Sequence, residues 1–155
     1  MSDLRELYQE IILDHNRHPR NFGPLATANH RAEGNNPLCG DRVTVYLDVE
    51  EGRLQDVAFD GAGCAISTAS ASLMTEAIKG LSVEDARRLF NDFHELVTQG
   101  RKGLEAGSEH APDLGKLEVF TGVREYPMRV KCATLAWHAL MAALDARDQP
   151  VSTEP

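Results

Sequence analysis

Three cysteines and one aspartate are the residues whose types and settings suggest chemistry. Cys39 lies in Asn36-Pro37-Leu38-Cys39-Gly40-Asp41, Cys64 follows Gly61-Ala62-Gly63, and Cys132 stands shortly after Pro127 at the head of an apolar run. Each sits where the chain is expected to bend. A lone cysteine is ordinarily a small buried hydrophobe, but such a residue has no reason to favour bends. A thiolate does, because helix N-termini and nearby cations lower the thiol pKa. Arg129 and Lys131 supply cations beside Cys132. Asp41 is two residues from Cys39, and in an extended stretch residues so spaced face the same side. Three thiolates and a carboxylate suit tetrahedral zinc. The chain has no Cys-x-x-Cys pair, so spacing alone leaves ligation and packing both open.

The elements that must position these residues follow from periodicity. Leu4, Leu7, Tyr8, Ile11 and Ile12 recur at helical spacing, predicting a helix over 3–17 that ends at Pro19. Residues 26–36 are weakly patterned, with room for a short strand. Val43, Val45, Leu47 and Val49 alternate with polar residues, which predicts a half-buried strand. A turn at Glu51-Gly52 and a returning strand through Val57 and Phe59 make it a hairpin. Gly61-Ala62-Gly63 breaks that strand, and a helix follows from Cys64 to Lys79, stopped by Gly80. Ser82, with Asp85 three residues on, caps the next helix, which runs to Thr98. A Gly-rich polar loop over 100–112, a short helical turn over 114–124 and a last helix over 128–147 complete the pattern. The expectation is α+β: a small antiparallel sheet of about three strands packed against helices. It reads as one domain over 1–148, with a segment inserted at about 81–112 and a frayed tail over 149–155.

Composition bounds the function. The 155 residues are 42% hydrophobic and 26% charged, with a formal net charge of -8. A chain of this size buries a core without disulfide staples. The acidic balance argues against nucleic acid, whose binders concentrate Lys and Arg. Asp3, Arg5 and Glu6 interrupt any apolar leader, and the run Ala133–Leu144 is too short to span a bilayer. The expectation is a cytoplasmic protein with no membrane partner, where three cysteines make poor disulfide material.

Three stretches resemble the ligand motifs of the IscU-like, NifU N-terminal domain-like family of iron–sulfur cluster assembly. They are Asn36–Asp41, then Gly61–Ser67 continued by Ser70-Ala71-Ser72-Leu73-Met74-Thr75, then Arg129–Trp137. The N-terminal helix and His18-Pro19-Arg20-Asn21 are similar too, so the resemblance spans nearly the whole chain in the family's order. Two features resemble the SufU-type branch: the long segment between the second and third cysteines, and Lys131 where scaffold-type members carry His. Asn16 departs from relatives that have an aromatic residue there.

The resemblance implies an IscU/SufU-like fold and zinc held by Cys39, Asp41, Cys64 and Cys132. It implies a zinc-dependent sulfurtransferase that accepts persulfide sulfur from a SufS-like, pyridoxal-phosphate cysteine desulfurase and stimulates its turnover. A downstream cluster scaffold would take the sulfur. The alternative is a scaffold on which a transient [2Fe-2S] cluster is assembled and then transferred. Cys39 is the expected sulfur acceptor, since its Pro/Gly-flanked turn moves more cheaply than a helix start, and a partner His is expected to take the vacated position. Arg129 is assigned to steadying the partner loop or leaving thiolate, and Lys131 to raising thiolate character. The six histidines are read as non-ligands: His15, His18 and His30 solvated near loops, His94 and His110 in the inserted segment, and His138 on another helix face. Ser67, Ser70 and Ser72 are read as packing a small-residue helix surface, and Trp137 as core.

Overall fold

The alternation around Val45 builds the centre of the sheet. In the computed structural model, which describes residues 2–36, 40–99, 115–145 and 151–152, strand β2 (Asp41–Glu50) buries Val43, Val45 and Leu47 on one face. Antiparallel β3 (Arg53–Ala62) sets Phe59 opposite Val45 and Val57 opposite Leu47. The two-residue connection works because Glu51 and Gly52 both hold positive φ, 52° and 76°, the twist a tight hairpin needs. The weakly patterned stretch supplies β1 (His30–Asn36), antiparallel to β2 and pairing Asn36 with Asp41. Its inward positions are Ala32, Gly34 and Asn36, too poor in large apolar residues to give a firm strand signal.

Among the described residues four α-helices surround the sheet: α1 (Ser2–Arg17), α2 (Ala65–Ile78), α3 (Val83–Gln99) and α4 (Pro127–Leu144), with a 3₁₀ segment over Gly115–Glu125. The fold is α+β, and antiparallel β1, β2 and β3 are the three strands expected. Helix α4 lies close over β1 because Gly34 has no side chain. A Cβ there would stand 3.2 Å from Leu135 Cδ1. Trp137 is fully buried, stacks on Phe93 of α3 at 4.6 Å between ring centres, and donates Nε1–H to Ser70 Oγ of α2 at 3.2 Å. Trp137 is therefore core, as expected, and Ser70 packs α2 against α4.

Some boundaries differ. The last helix ends at Leu144, and the turn near 114–124 is an eleven-residue 3₁₀ segment that buries Leu117, Val119, Phe120 and Val123. Val151 and Ser152, in the tail expected to fray, form β4, parallel to β1 at Gly34 and Asn35. The Gly-rich loop expected over 100–112 lies outside the described residues, as does His110.

His15 corrects an expectation. It is buried rather than solvated, with Nδ1 2.7 Å from Ser72 Oγ and Nε2 3.6 Å from Glu76. The segment after α1 folds back on α2, so that Arg20 N donates to the same Ser72 oxygen at 2.9 Å and Asn21 Nδ2 donates to Thr75 Oγ1 at 3.0 Å. Burial, then the Arg20 charge, lowers the His15 pKa. Among the described residues no helix is long and apolar enough to cross a membrane.

Candidate metal centre

Asp41 opens β2, Cys64 opens α2, and Cys132 lies inside α4; the fold brings the three together. Their ligand atoms lie within 4.8 Å of one another, the only such group of His, Cys, Asp and Glu among the described residues. Asp41 is buried and its Oδ1 accepts the Cys64 backbone N–H at 2.9 Å. Its Oδ2 is 3.7 Å from Cys64 Sγ. Cys64 is the N-cap of α2, and its sulfur accepts from Ser67 N at 3.4 Å. That position favours negative charge because the first-turn N–H groups have no other partner.

The glycines explain how a strand end and a helix start come this close. Gly61 holds φ 140°, and a Cβ there would strike the Arg42 carbonyl oxygen of the paired strand. A Cβ on Gly63 would stand 2.8 Å from Asp41 Oδ1. Gly61 makes the exit from β3 possible, and Gly63 leaves space for the carboxylate.

Cys132 is buried, and burial first, then Asp41 and Cys64, pushes its thiol pKa up. Its place in α4 does nothing to offset this. Tyr126 is the N-cap and Pro127 the first helical residue, so Cys132 lies beyond the first turn, where the helix terminus acts. The cation expected from Arg129 is exposed and stacks on the Tyr126 ring, 4.6 Å from its centre. Lys131 is partly buried.

Cys39 lies outside the described residues. The extended geometry that would set it beside Asp41 does not continue through Gly40, whose φ is 72°. Instead Gly40 N–H bonds Asn36 O at 2.8 Å, closing the connection between β1 and β2. Asp41 reaches the cluster as the inward first residue of β2.

The donor set fits a thiophilic divalent ion. Around zinc with Zn–S near 2.3 Å, tetrahedral ligand atoms stand roughly 3.8 Å apart. A spread of at most 4.8 Å closes on such an ion with inward shifts of under about 1 Å.

Asn36 was not singled out from sequence. It is fully buried, with Nδ2 3.9 Å from Cys132 Sγ, and its Oδ1 is without a partner. The only signal for it was an amide at the inward end of a strand, hidden by the turn chemistry of Asn36-Pro37. The described histidines stay apart from the cluster: His138 packs against Phe90 and His94, with ring centres 5.5 and 6.2 Å away.

Comparison with known proteins gives the family of the chain. The profile of the NifU-like N terminal domain matches residues 7–146. The chain is 40% identical over 144 residues to the iron–sulfur cluster assembly scaffold protein IscU of Streptococcus pyogenes, covering 93% of this chain and 86% of that one. It is 40% identical over 139 residues to the zinc-dependent sulfurtransferase SufU of Bacillus subtilis, covering 90% of each. A crystal structure described as an iron–sulfur cluster assembly scaffold protein for the SUF system, from Fervidobacterium islandicum, superposes with a TM-score of 0.77 at 34% identity, covering 90% of this chain and 98% of that one.

Proposed function

Since the chain belongs to the NifU-like N-terminal domain family of iron–sulfur cluster assembly, we propose that it is a zinc-dependent sulfurtransferase serving that process in the cytoplasm. Asp41, Cys64 and Cys132 would hold the ion, with Cys39 as fourth ligand. Bound zinc would keep the thiols deprotonated at neutral pH. The observation that carries this reading is the donor set: a carboxylate and two sulfurs with no imidazole among the described residues. Lys131 occupies the place before Cys132 where scaffold-type members carry His. One customary cluster ligand is therefore replaced by a cation, which disfavours the scaffold reading.

The protein's own residues divide the work. Displacing Cys64 would undo the cap of α2, and displacing Cys132 would disturb the interior of α4. Cys39 belongs to the connection between β1 and β2, so it is the ligand whose release disturbs least. Its thiolate attacks the outer sulfur of the persulfide on a cysteine desulfurase, a SufS-like pyridoxal-phosphate enzyme. A new S–S bond forms on Cys39, the old one breaks, and the desulfurase cysteine leaves as a thiolate, so no oxidant is consumed. Arg129, exposed at the head of α4, would steady the partner's loop or that thiolate, and Lys131 would favour thiolate over thiol. A cluster scaffold then receives the sulfur. The formal charge of -8 suits a basic partner surface.

The test is single-turnover sulfur transfer from a desulfurase, followed by peptide mass mapping and metal analysis. The expected result is one zinc per chain and one added sulfur on Cys39, lost in Cys39→Ser. Sulfur on Cys132 instead would overturn the assignment. A stable, visible-absorbing iron cluster on the isolated protein would favour the scaffold.

A further inference from the structure

We propose that Asn36 is a positioning residue that holds Cys132 as a spectator sulfur, so that the cysteines of one site are not equivalent acceptors. The inference rests on the metal reading above and adds a residue that reading does not use. Three observations meet at this side chain. It is fully buried. Its Nδ2 is the donor placed against Cys132 Sγ, at 3.9 Å. Its Oδ1 is the one buried side-chain oxygen or nitrogen among the described residues that has no partner.

The second and third observations together argue for function. Asn36 is the last inward residue of β1, after Ala32 and Gly34. A small apolar residue there would continue the pattern and leave no orphan oxygen, which costs desolvation and returns nothing. Half of the amide is thus a liability to the fold. The other half faces Cys132, the more enclosed of the two described sulfurs. An N–H···S contact withdraws electron density from the sulfur and lowers its nucleophilicity, as outer partners tune metal ligands generally. The same residue also clasps the loop that carries Cys39, because its backbone oxygen accepts Gly40 N–H at 2.8 Å. Asn36 therefore touches both sides of the division of labour: its backbone anchors the acceptor loop, and its side chain quiets the sulfur that must stay.

The experiment uses cobalt(II) in place of zinc, because sulfur-to-cobalt charge transfer reports the electron density on the ligating sulfurs. Asn36→Leu keeps the branched outline without a donor, and Asn36→Ala removes the donor without adding volume, so a packing failure of one does not decide the matter. Both are expected to bind cobalt with the charge-transfer band moved to longer wavelength. In single-turnover transfer both should place sulfur on Cys132 as well as Cys39. A residue that merely packs would leave the band where it is. Cobalt-loaded variants whose band coincides with that of the unsubstituted protein overturn the inference alone. An unsubstituted protein that takes up no cobalt or zinc overturns the metal reading and this inference with it.

Discussion

Substituting Gly63 with alanine separates the carboxylate's proposed role in metal binding from its role in the fold. The new Cβ would lie 2.8, 3.1 and 3.3 Å from Asp41 Oδ1, Cγ and Cβ. Comfortable contact between such atoms starts near 3.5 Å, so the carboxylate must retreat by about 0.5 Å or more. It has little freedom to do so, being buried and bonded through Oδ1 to Cys64 N at 2.9 Å. The Gly63 backbone lies outside the left-handed region that only glycine tolerates well, so the strain falls on Asp41. Weakening one hydrogen bond to a charged group costs roughly 1.5–3 kcal/mol. If that cost falls on the metal-bound arrangement, zinc affinity drops by about 10- to 100-fold. Competition with a chromophoric chelator measures this, and circular dichroism checks that the fold persists. Gly80→Ala is the control, since its φ is 89° with open space around the new Cβ; it should lower stability by about 1 kcal/mol and leave zinc affinity alone. Gly63→Ala protein that is folded and holds zinc within about twofold of the parent would refute the reasoning. Asp41 would then be a structural acceptor for Cys64 N and not a ligand.

Two further expectations concern the support of the site. The lowered pKa of buried His15 means that the unfolded chain takes up a proton first as pH falls. Its contribution to stability is complete above the ordinary imidazole value of about 6.5 and is lost progressively below it. Urea midpoints measured from about pH 7.5 down to 5.5 should fall less steeply in His15→Gln; an unchanged slope would show that His15 is not the responsible group. Ser70→Ala removes the acceptor of the fully buried Trp137 N–H. It should cost about 1–3 kcal/mol by denaturant titration, and a loss near zero would mean that Trp137 holds its place through packing alone.

The sheet hairpin was legible because its information is local. Val43, Val45 and Leu47 alternate, and Glu51-Gly52 provides the one turn that brings the chain straight back. The bend before Cys64 was legible as well, since Gly61 and Gly63 mark a backbone that must pass close to something. What they pass close to was not legible. The Gly63–Asp41 contact, like His15 with Ser72, joins residues far apart in sequence, and only packing of the helices against the sheet brings them together. The solvated reading of His15 followed from its place near the loop that ends the first helix, a local cue that a partner 57 positions away overrode. The two-residue β4 has no pattern of its own and exists only because β1 offers an edge.

Asn36 shows the same limit at the site itself, and there it bears on function. Read locally, Asn36-Pro37 is turn chemistry and requires nothing more. Placed in the fold, the same amide is fully buried against Cys132, a position where local propensity would favour an apolar residue. The cysteines announce themselves by type, but the residue that would make them unequal shows only when the sheet closes on α4. The proposed division between an acceptor on a connection and a spectator in a helix would therefore be a property of tertiary packing. A chain with the same four ligands but an apolar residue at the end of β1 should bind the ion and yet lose the distinction between its sulfurs.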